Sequence, residues 1–209
     1  MKIVCLSDTH NLLDRISVPD GDVLLHAGDF TNKGTIPEIA KFNYDIMKLP
    51  HPNKVVIAGN HELLFESDNV LARSLLDPSI HYLEQSSVVI DGIKIWGSPY
   101  TPEFCGWAFG YNGMDYQLRP YWDEIPDDAD IVITHGPPHM IMDFVKEANN
   151  YHKNIGCKEL RKAIERVGPR LHLFGHNHGG YGSNKTNNVV YINAACGDKA
   201  QNKPIVYNI

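Results

Sequence analysis

At 209 residues and 43% hydrophobic composition, the chain can bury the core of one large domain spanning residues 1–209. A formal net charge of −6, with Lys and Arg scattered along the chain, excludes the basic stripe that a polymeric nucleic acid partner needs. No apolar run reaches bilayer-spanning length and no basic-then-apolar leader opens the chain, so a soluble, unprocessed, cytoplasmic protein without membrane contact is expected.

In chain order, the apolar run Lys2–Ser7 stops at Asp8-Thr9-His10, and Asp22–Ala27 runs into Gly28-Asp29. Ile36–Met47 spaces its apolar residues at helical steps. Lys54–Ala58 is followed by Gly59-Asn60-His61-Glu62, and then by a second helical pattern over Leu63–Leu76. Val88–Ile90 and Ile93–Trp96 flank Asp91-Gly92, a two-residue hairpin signal. The stretch from Tyr100 to Tyr121 reads as a long loop with its own aromatics, Tyr100, Phe104, Trp107, Phe109, Tyr111, Tyr116 and Tyr121. Ile131–Thr134 then ends at His135-Gly136-Pro137-Pro138.

Lys158–Val167 predicts an amphipathic helix with Leu160, Ala163, Ile164 and Val167 on one face, stopped by Gly168-Pro169. Leu171–Phe174 ends at Gly175-His176-Asn177-His178, and Val189–Asn193 and Pro204–Tyr207 add late strands. Short continuous apolar runs of this kind are what strands buried on both faces look like. Strands alternating with helices, then a hairpin, predict α/β layers with mixed sheets. Cys5, Cys105, Cys157 and Cys196 form no Cys-x-x-Cys pair, which fits a reducing compartment.

Five of these strands end in Asp, Asn or His, and in an α/β sheet ligands bind beyond the carboxyl ends of strands. Carboxylate, amide oxygen and imidazole together suit Mn²⁺, Fe or Zn²⁺ better than Ca²⁺ or Mg²⁺. Asp8, His10, Asp29, Asn60, His135, His176 and His178 are too many ligands for one ion and suit two ions sharing a carboxylate. Taken singly, Asp8 and Asp29 read as turn caps, and the Gly-His-x-His at residues 175–178 is a weak motif. His26, His81 and His172 lie within apolar runs and read as packed or edge-strand residues.

Asp8-x-His10, Gly28-Asp29, Gly59-Asn60-His61-Glu62, His135 and Gly175-His176-x-His178 resemble the signature blocks of the calcineurin-like metallophosphoesterase superfamily. The segments Asp22–Thr31, Trp96–Pro102, Thr134–Pro138 and Gly179–Gly182 resemble its metallophosphoesterase-domain-containing (MPPED) branch. The resemblance implies two mixed β-sheets packed as a sandwich and flanked by helices. It also implies a first ion held by Asp8, His10, Asp29 and His178, and a second by Asp29, Asn60, His135 and His176. Mn²⁺ is the favoured ion, with Fe or Zn²⁺ as alternatives.

The activity implied is phosphodiester hydrolysis by attack of a metal-bridging hydroxide, on small and nucleotide-like substrates, cyclic nucleotides among them. His61 matches the superfamily's catalytic His, expected to protonate the leaving alkoxide or to stabilise phosphoryl oxygens. The competing readings are a phosphomonoesterase or nuclease of the same superfamily, or a scaffold that keeps the fold without catalysis. One departure stands out. Protein phosphatases of the superfamily carry Gly-Asp-x-x-Asp-Arg-Gly, where this chain has Asn32 and Lys33 in place of the second Asp and the Arg. That substitution argues against phosphoprotein substrates and leaves Glu62 as a candidate to orient His61.

Overall fold

In the computed structural model, which describes residues 1–103, 105–111, 114–146 and 152–209, two mixed sheets pack face to face. Phe104 of the aromatic segment lies outside the described residues. The elements are β1 (Lys2–Leu6), β2 (Val23–His26), α1 (Ile36–Met47), β3 (Asn53–Val56), α2 (Leu63–Ser67), α3 (Asn69–Ser74) and β4 (Ile80–Tyr82). They continue with β5 (Ser86–Ile90), β6 (Ile93–Ser98), β7 (Thr101–Pro102), β8 (Gly110–Tyr111), α4 (Arg119–Asp123), β9 (Ile131–Thr134), β10 (Phe144–Lys146) and β11 (His152–Asn154). The chain finishes with α5 (Lys158–Val167), β12 (Leu171–Phe174), β13 (Gly182–Thr186), β14 (Val189–Asn193) and β15 (Ile205–Asn208).

The first sheet has the order β15-β1-β2-β3-β4 and the second β13-β14-β12-β9-β6-β5. In each, the central strands are parallel and antiparallel partners close an edge: β15 on β1, β13 on β14 and β5 on β6. Parallel strands all point one way, so β1, β2 and β3 end at the same rim, as do β9 and β12 in the other sheet.

Alternation along each strand sorts side chains between layers. Ile3, Cys5, Val23, Leu25 and Val55 face inward and meet Ile95, Ile131, Ile133, Leu171 and Leu173 of the second sheet. Their neighbours Val4, Leu6, Leu24 and Val56 face outward, against Ile39, Phe42 and Ile46 of α1. On the opposite side, Trp96, Val132 and Phe174 pack on Leu160, Ala163 and Ile164 of α5. The layers are therefore helix, sheet, sheet, helix, as the resemblance implied. No helix among the described residues is long and apolar enough to cross a membrane.

The helix expected over Leu63–Leu76 is two helices. Asp68 breaks it with an extended φ of −147° and caps the second piece by accepting from Leu71 N. The long loop from Tyr100 to Tyr121 contains the short parallel pair of β7 and β8, a 3-10 turn and α4. Strand β13 was not anticipated, although a hairpin turn at Asn187-Asn188, both at positive φ, joins it to β14. The Asp91-Gly92 turn between β5 and β6, also at positive φ, matches the sequence expectation.

Candidate metal centre

All eight residues singled out in the sequence meet at one rim of the sandwich. Asp8 and His10 follow β1, Asp29 follows β2, and Asn60 and His61 follow β3. From the second sheet, His135 follows β9 while His176 and His178 follow β12. Six of the eight line a cleft of about 450 Å³, with Asp8 and His135 buried beneath it.

The backbone turns sharply where each strand delivers its donor. Asp8, His10, Asp29 and His176 all adopt positive φ, between 42° and 63°. That region costs a non-glycine residue roughly 1–3 kcal/mol and is tolerated where surrounding structure enforces it. Two glycines make the close approach feasible. A Cβ on Gly175 would collide with the Asp8 carboxylate, and one on Gly59 with that of Asp29.

Three imidazoles are oriented towards the candidate site by one short segment of backbone. His10 Nδ1 lies 3.2 Å from Thr31 O, His61 Nδ1 2.6 Å from Asn32 O, and His135 Nδ1 2.9 Å from Ala27 O. A carbonyl only accepts, so each Nδ1 carries the proton and each Nε2 is left to face the site. His135 Nε2 and His176 Nδ1 each lie 2.8 Å from Asn60 Oδ1, and His135 Nε2 lies 3.3 Å from Asp29 Oδ2. On the other flank, His178 Nε2 is 3.2 Å from Asp8 Oδ1 and 3.4 Å from His10 Nε2.

These separations fit donors around shared ions. Ligand bonds of ~2.0–2.2 Å at right-angled to tetrahedral openings place neighbouring donors ~2.8–3.6 Å apart. Asp8, His10 and His178 form one group within reach of an ion, and Asp29, His135 and His176 another. A third, His10, Asp29 and His61, lies between them.

The electrostatics call for cations. Burial alone would raise the Asp29 carboxyl, but the charge and hydrogen bond of His135, with the charges of His61 and His10, together outweigh it and hold Asp29 below the usual carboxylate range. Asp8 is likewise lowered against its burial, through its bond to His178 and the charge of His135. In return, although burial opposes it, Asp29 and Asp8 raise His135 to about 10. Two buried carboxylates thus demand a positive partner, which bound divalent ions would supply in place of that proton. Burial, reinforced by the charge of His135, pushes His176 down to about 4, which leaves it neutral and able to ligate.

Glu62 does not orient the His61 ring. Its carboxylate is fully buried and accepts from Gly59 N at 2.6 Å, Asp29 N at 2.8 Å, Thr31 N at 2.9 Å and Thr31 Oγ1 at 2.8 Å. It ties the turn after β2 to the turn after β3. Orientation of His61 falls instead to the Asn32 carbonyl and to Trp107, whose ring stacks on the imidazole at 4.3 Å and 29°.

Phe109 is buried in the core, its backbone N–H donated to Glu66. Two cleft residues escaped the sequence reading. Asp198 Oδ1 lies 3.6 Å from both His10 Nε2 and His178 Nδ1, and Lys153 lines the same cleft. For Asp198 a signal exists, because Gly197-Asp198 beyond β14 repeats the Gly28-Asp29 pattern beyond β2.

The sequence profile described as calcineurin-like phosphoesterase matches residues 1–180. Over the full chain, 40% identity relates it to Metallophosphoesterase domain-containing protein 1 of Homo sapiens, of which it covers 71%. A UPF0046 protein of Caenorhabditis elegans is also 40% identical over the full chain, which covers 75% of that relative. Among solved structures, the phosphopantetheinyl hydrolase of Mycobacterium tuberculosis superposes with a TM-score of 0.65, covering 92% of this chain and 88% of that one. At 13% identity that likeness concerns the fold alone.

Proposed function

The chain belongs to the calcineurin-like phosphoesterase family of metal-dependent phosphoric ester hydrolases, and from that premise we propose a dinuclear phosphodiesterase for small, nucleotide-like diesters. The observation that carries the reading is the trio of imidazoles locked through Nδ1 by the carbonyls of Ala27, Thr31 and Asn32. Their Nε2 atoms converge with three oxygen donors, Asp8, Asp29 and Asn60, on one cleft.

In this reading Asp8, His10, Asp29 and His178 hold one ion and Asp29, Asn60, His135 and His176 the other, with Asp29 shared. The mixed oxygen and nitrogen donor set suits Mn²⁺, Fe or Zn²⁺, and the family resemblance favours Mn²⁺ among them. When bound, the two cations would neutralise phosphoryl oxygens and acidify a water for in-line attack on phosphorus.

His61 is assigned to the leaving group. Its Nε2 lies 3.8 Å from Asp29 Oδ2, beside the reacting centre, while Nδ1–H stays on Asn32 O. For this role Nε2 first takes up a proton from solvent; as the P–O bond breaks that proton passes to the departing alkoxide, and the ring is left neutral with its Nδ1–H still on Asn32 O. Trp107 keeps that ring from rotating out of line. A monoanionic diester fits better than a dianionic monoester, because Lys153 is the only cationic Lys or Arg side chain on the described cleft wall and Asp198 opposes it.

The test strips the protein with chelator, restores Mn²⁺ and compares bis-p-nitrophenyl phosphate with p-nitrophenyl phosphate. Metal-restored cleavage of the diester, lost in Asp29→Ala and His61→Ala, is the expected result. Preference for the monoester would overturn the diesterase assignment. Two bound ions without turnover of either ester would leave a metal-binding scaffold.

A further inference from the structure

A second cavity of about 300 Å³ opens off the metal cleft beside His176. It shares His176, Lys153 and Ile155 with the cleft, so the two form one continuous depression. One wall is the β7–β8 pair, a second is the 3-10 turn Asp115–Leu118, and the third is the loop leaving β11.

The walls are fixed by two carboxylates already hydrogen-bonded within the protein, the half-buried Asp115 and the buried Asp143, which a ligand does not need to reorganise. Asp115 accepts from Lys158 N at 2.8 Å and Cys157 Sγ at 2.9 Å, which ties the 3-10 turn to the start of α5. Asp143, 1% exposed, accepts from Asn154 Nδ2 at 2.6 Å and Gly156 N at 3.1 Å, which ties down the loop after β11. Such prior ordering lowers the entropy lost on binding.

What remains facing the space is mixed and balanced. Leu118 and Ile155 give apolar surface, and the half-buried Tyr111 gives an aromatic ring. The ammonium groups of Lys153 and Lys158 have no ion-pair partner among the described residues, and the Glu103 and Asp115 carboxylates offset their charge. A lining without net charge suits a neutral organic group and disfavours a further phosphate. The volume lies at the lower end of small-ligand sites, roughly 300–1,000 Å³, which is room for one nucleoside-sized group. Trp107 lines neither cavity and stacks on His61, so the platform for such a ring is Tyr111.

We propose that this side pocket binds one ester substituent of the diester, a neutral aromatic-bearing group of nucleoside size, against Tyr111, while Lys153 at the junction meets a non-bridging phosphoryl oxygen. The proposal rests on the phosphodiesterase reading and makes the pocket its specificity determinant.

Two p-nitrophenyl diesters separate the possibilities, one carrying thymidine and the other methyl as second substituent. In the wild-type protein the nucleoside ester should have the higher kcat/KM, by at least about fivefold, from ring contacts alone. Tyr111→Ala should collapse that ratio towards unity. The ratio is the readout because a partly misfolded variant lowers both rates together and leaves it intact. Lys153→Ala should raise KM for both esters. Equal kcat/KM values in the wild type, or an unchanged ratio in Tyr111→Ala, would overturn the pocket assignment. If neither ester turns over, the diesterase reading fails, and equilibrium binding of thymidine 5′-monophosphate then decides the pocket. Affinity weakened at least about fivefold by Tyr111→Ala supports it; equal affinity refutes it.

Discussion

His26 and His172 lie only a few positions before residues of the candidate metal centre on the same strands. His26 lies three residues before Asp29, and His172 four before His176. Both are fully buried and give Nε2 to a threonine hydroxyl, Thr9 at 3.0 Å and Thr134 at 2.9 Å. Burial pushes each down to about 3 and so keeps it neutral. Past the strand end, His10, His61 and His135 give Nδ1–H to carbonyls instead and turn Nε2 towards the candidate site. The same side chain is a packing element inside a strand and a member of the candidate site beyond it, and the register decides which.

The strongest way to break that contrast is at the shared ligand. Asp29→Ala removes the carboxylate assigned to both ions, and turnover should fall at least about a thousandfold, with the Mn²⁺ binding isotherm losing at least one site. Retention of two sites and of activity would disprove the ligand assignment. Next in size is His61→Ala, for which a loss of ~10²–10³ is expected while two Mn²⁺ ions still bind.

Trp107→Ala should act through His61 and depend on the leaving group. A drop in kcat of about tenfold is expected for an alkyl ester and much less for a p-nitrophenyl ester, whose leaving group needs no proton. Trp107→Phe should restore the alkyl ester rate. A uniform loss with both esters, or a change confined to KM, would remove the positioning role.

The smallest effect lies in the buried class. A histidine held neutral at about 3, against an ordinary value near 6.5, leaves stability intact above pH 6.5. Below that the unfolded chain takes up the proton first, and stability declines until about pH 3. Between pH 7 and pH 4.5, His172→Gln should therefore lose roughly 5–10 °C less in Tm than the wild type does. Calorimetry at the two pH values checks this, and parallel losses would contradict it.

The parts of the fold carried by long apolar runs were legible, because β1, β2, β9 and β12 are buried on both faces and leave no alternation to misread. Strand β4 escaped because His81 and Tyr82 are only half-buried and the run is three residues long. Strand β13 is an edge strand of polar residues, recognisable only through its Asn187-Asn188 turn. At the site, the residues that gather on one rim were legible from their strand-end positions. The partners of His61 were not, since a backbone carbonyl at Asn32 has no signature in residue type and Trp107 comes from a distant loop. Asn32 gives up a carboxylate but keeps the carbonyl that holds Nδ1.

The donors are divided between the two sheets, and Asp8 and His178, which meet at 3.2 Å, are 170 residues apart in sequence. Neither sheet owns a complete set of the proposed donors, so ion capture by them would be linked to docking of the sheets. Free ion at a hundred times its dissociation constant would stabilise the docked chain by about 2.7 kcal/mol per site. Ion scarcity would then loosen the molecule as well as silence it, exposing the Ile, Leu and Val residues between the layers to proteolysis. Resistance to a nonspecific protease should accordingly climb with free Mn²⁺ and level off as the sites fill.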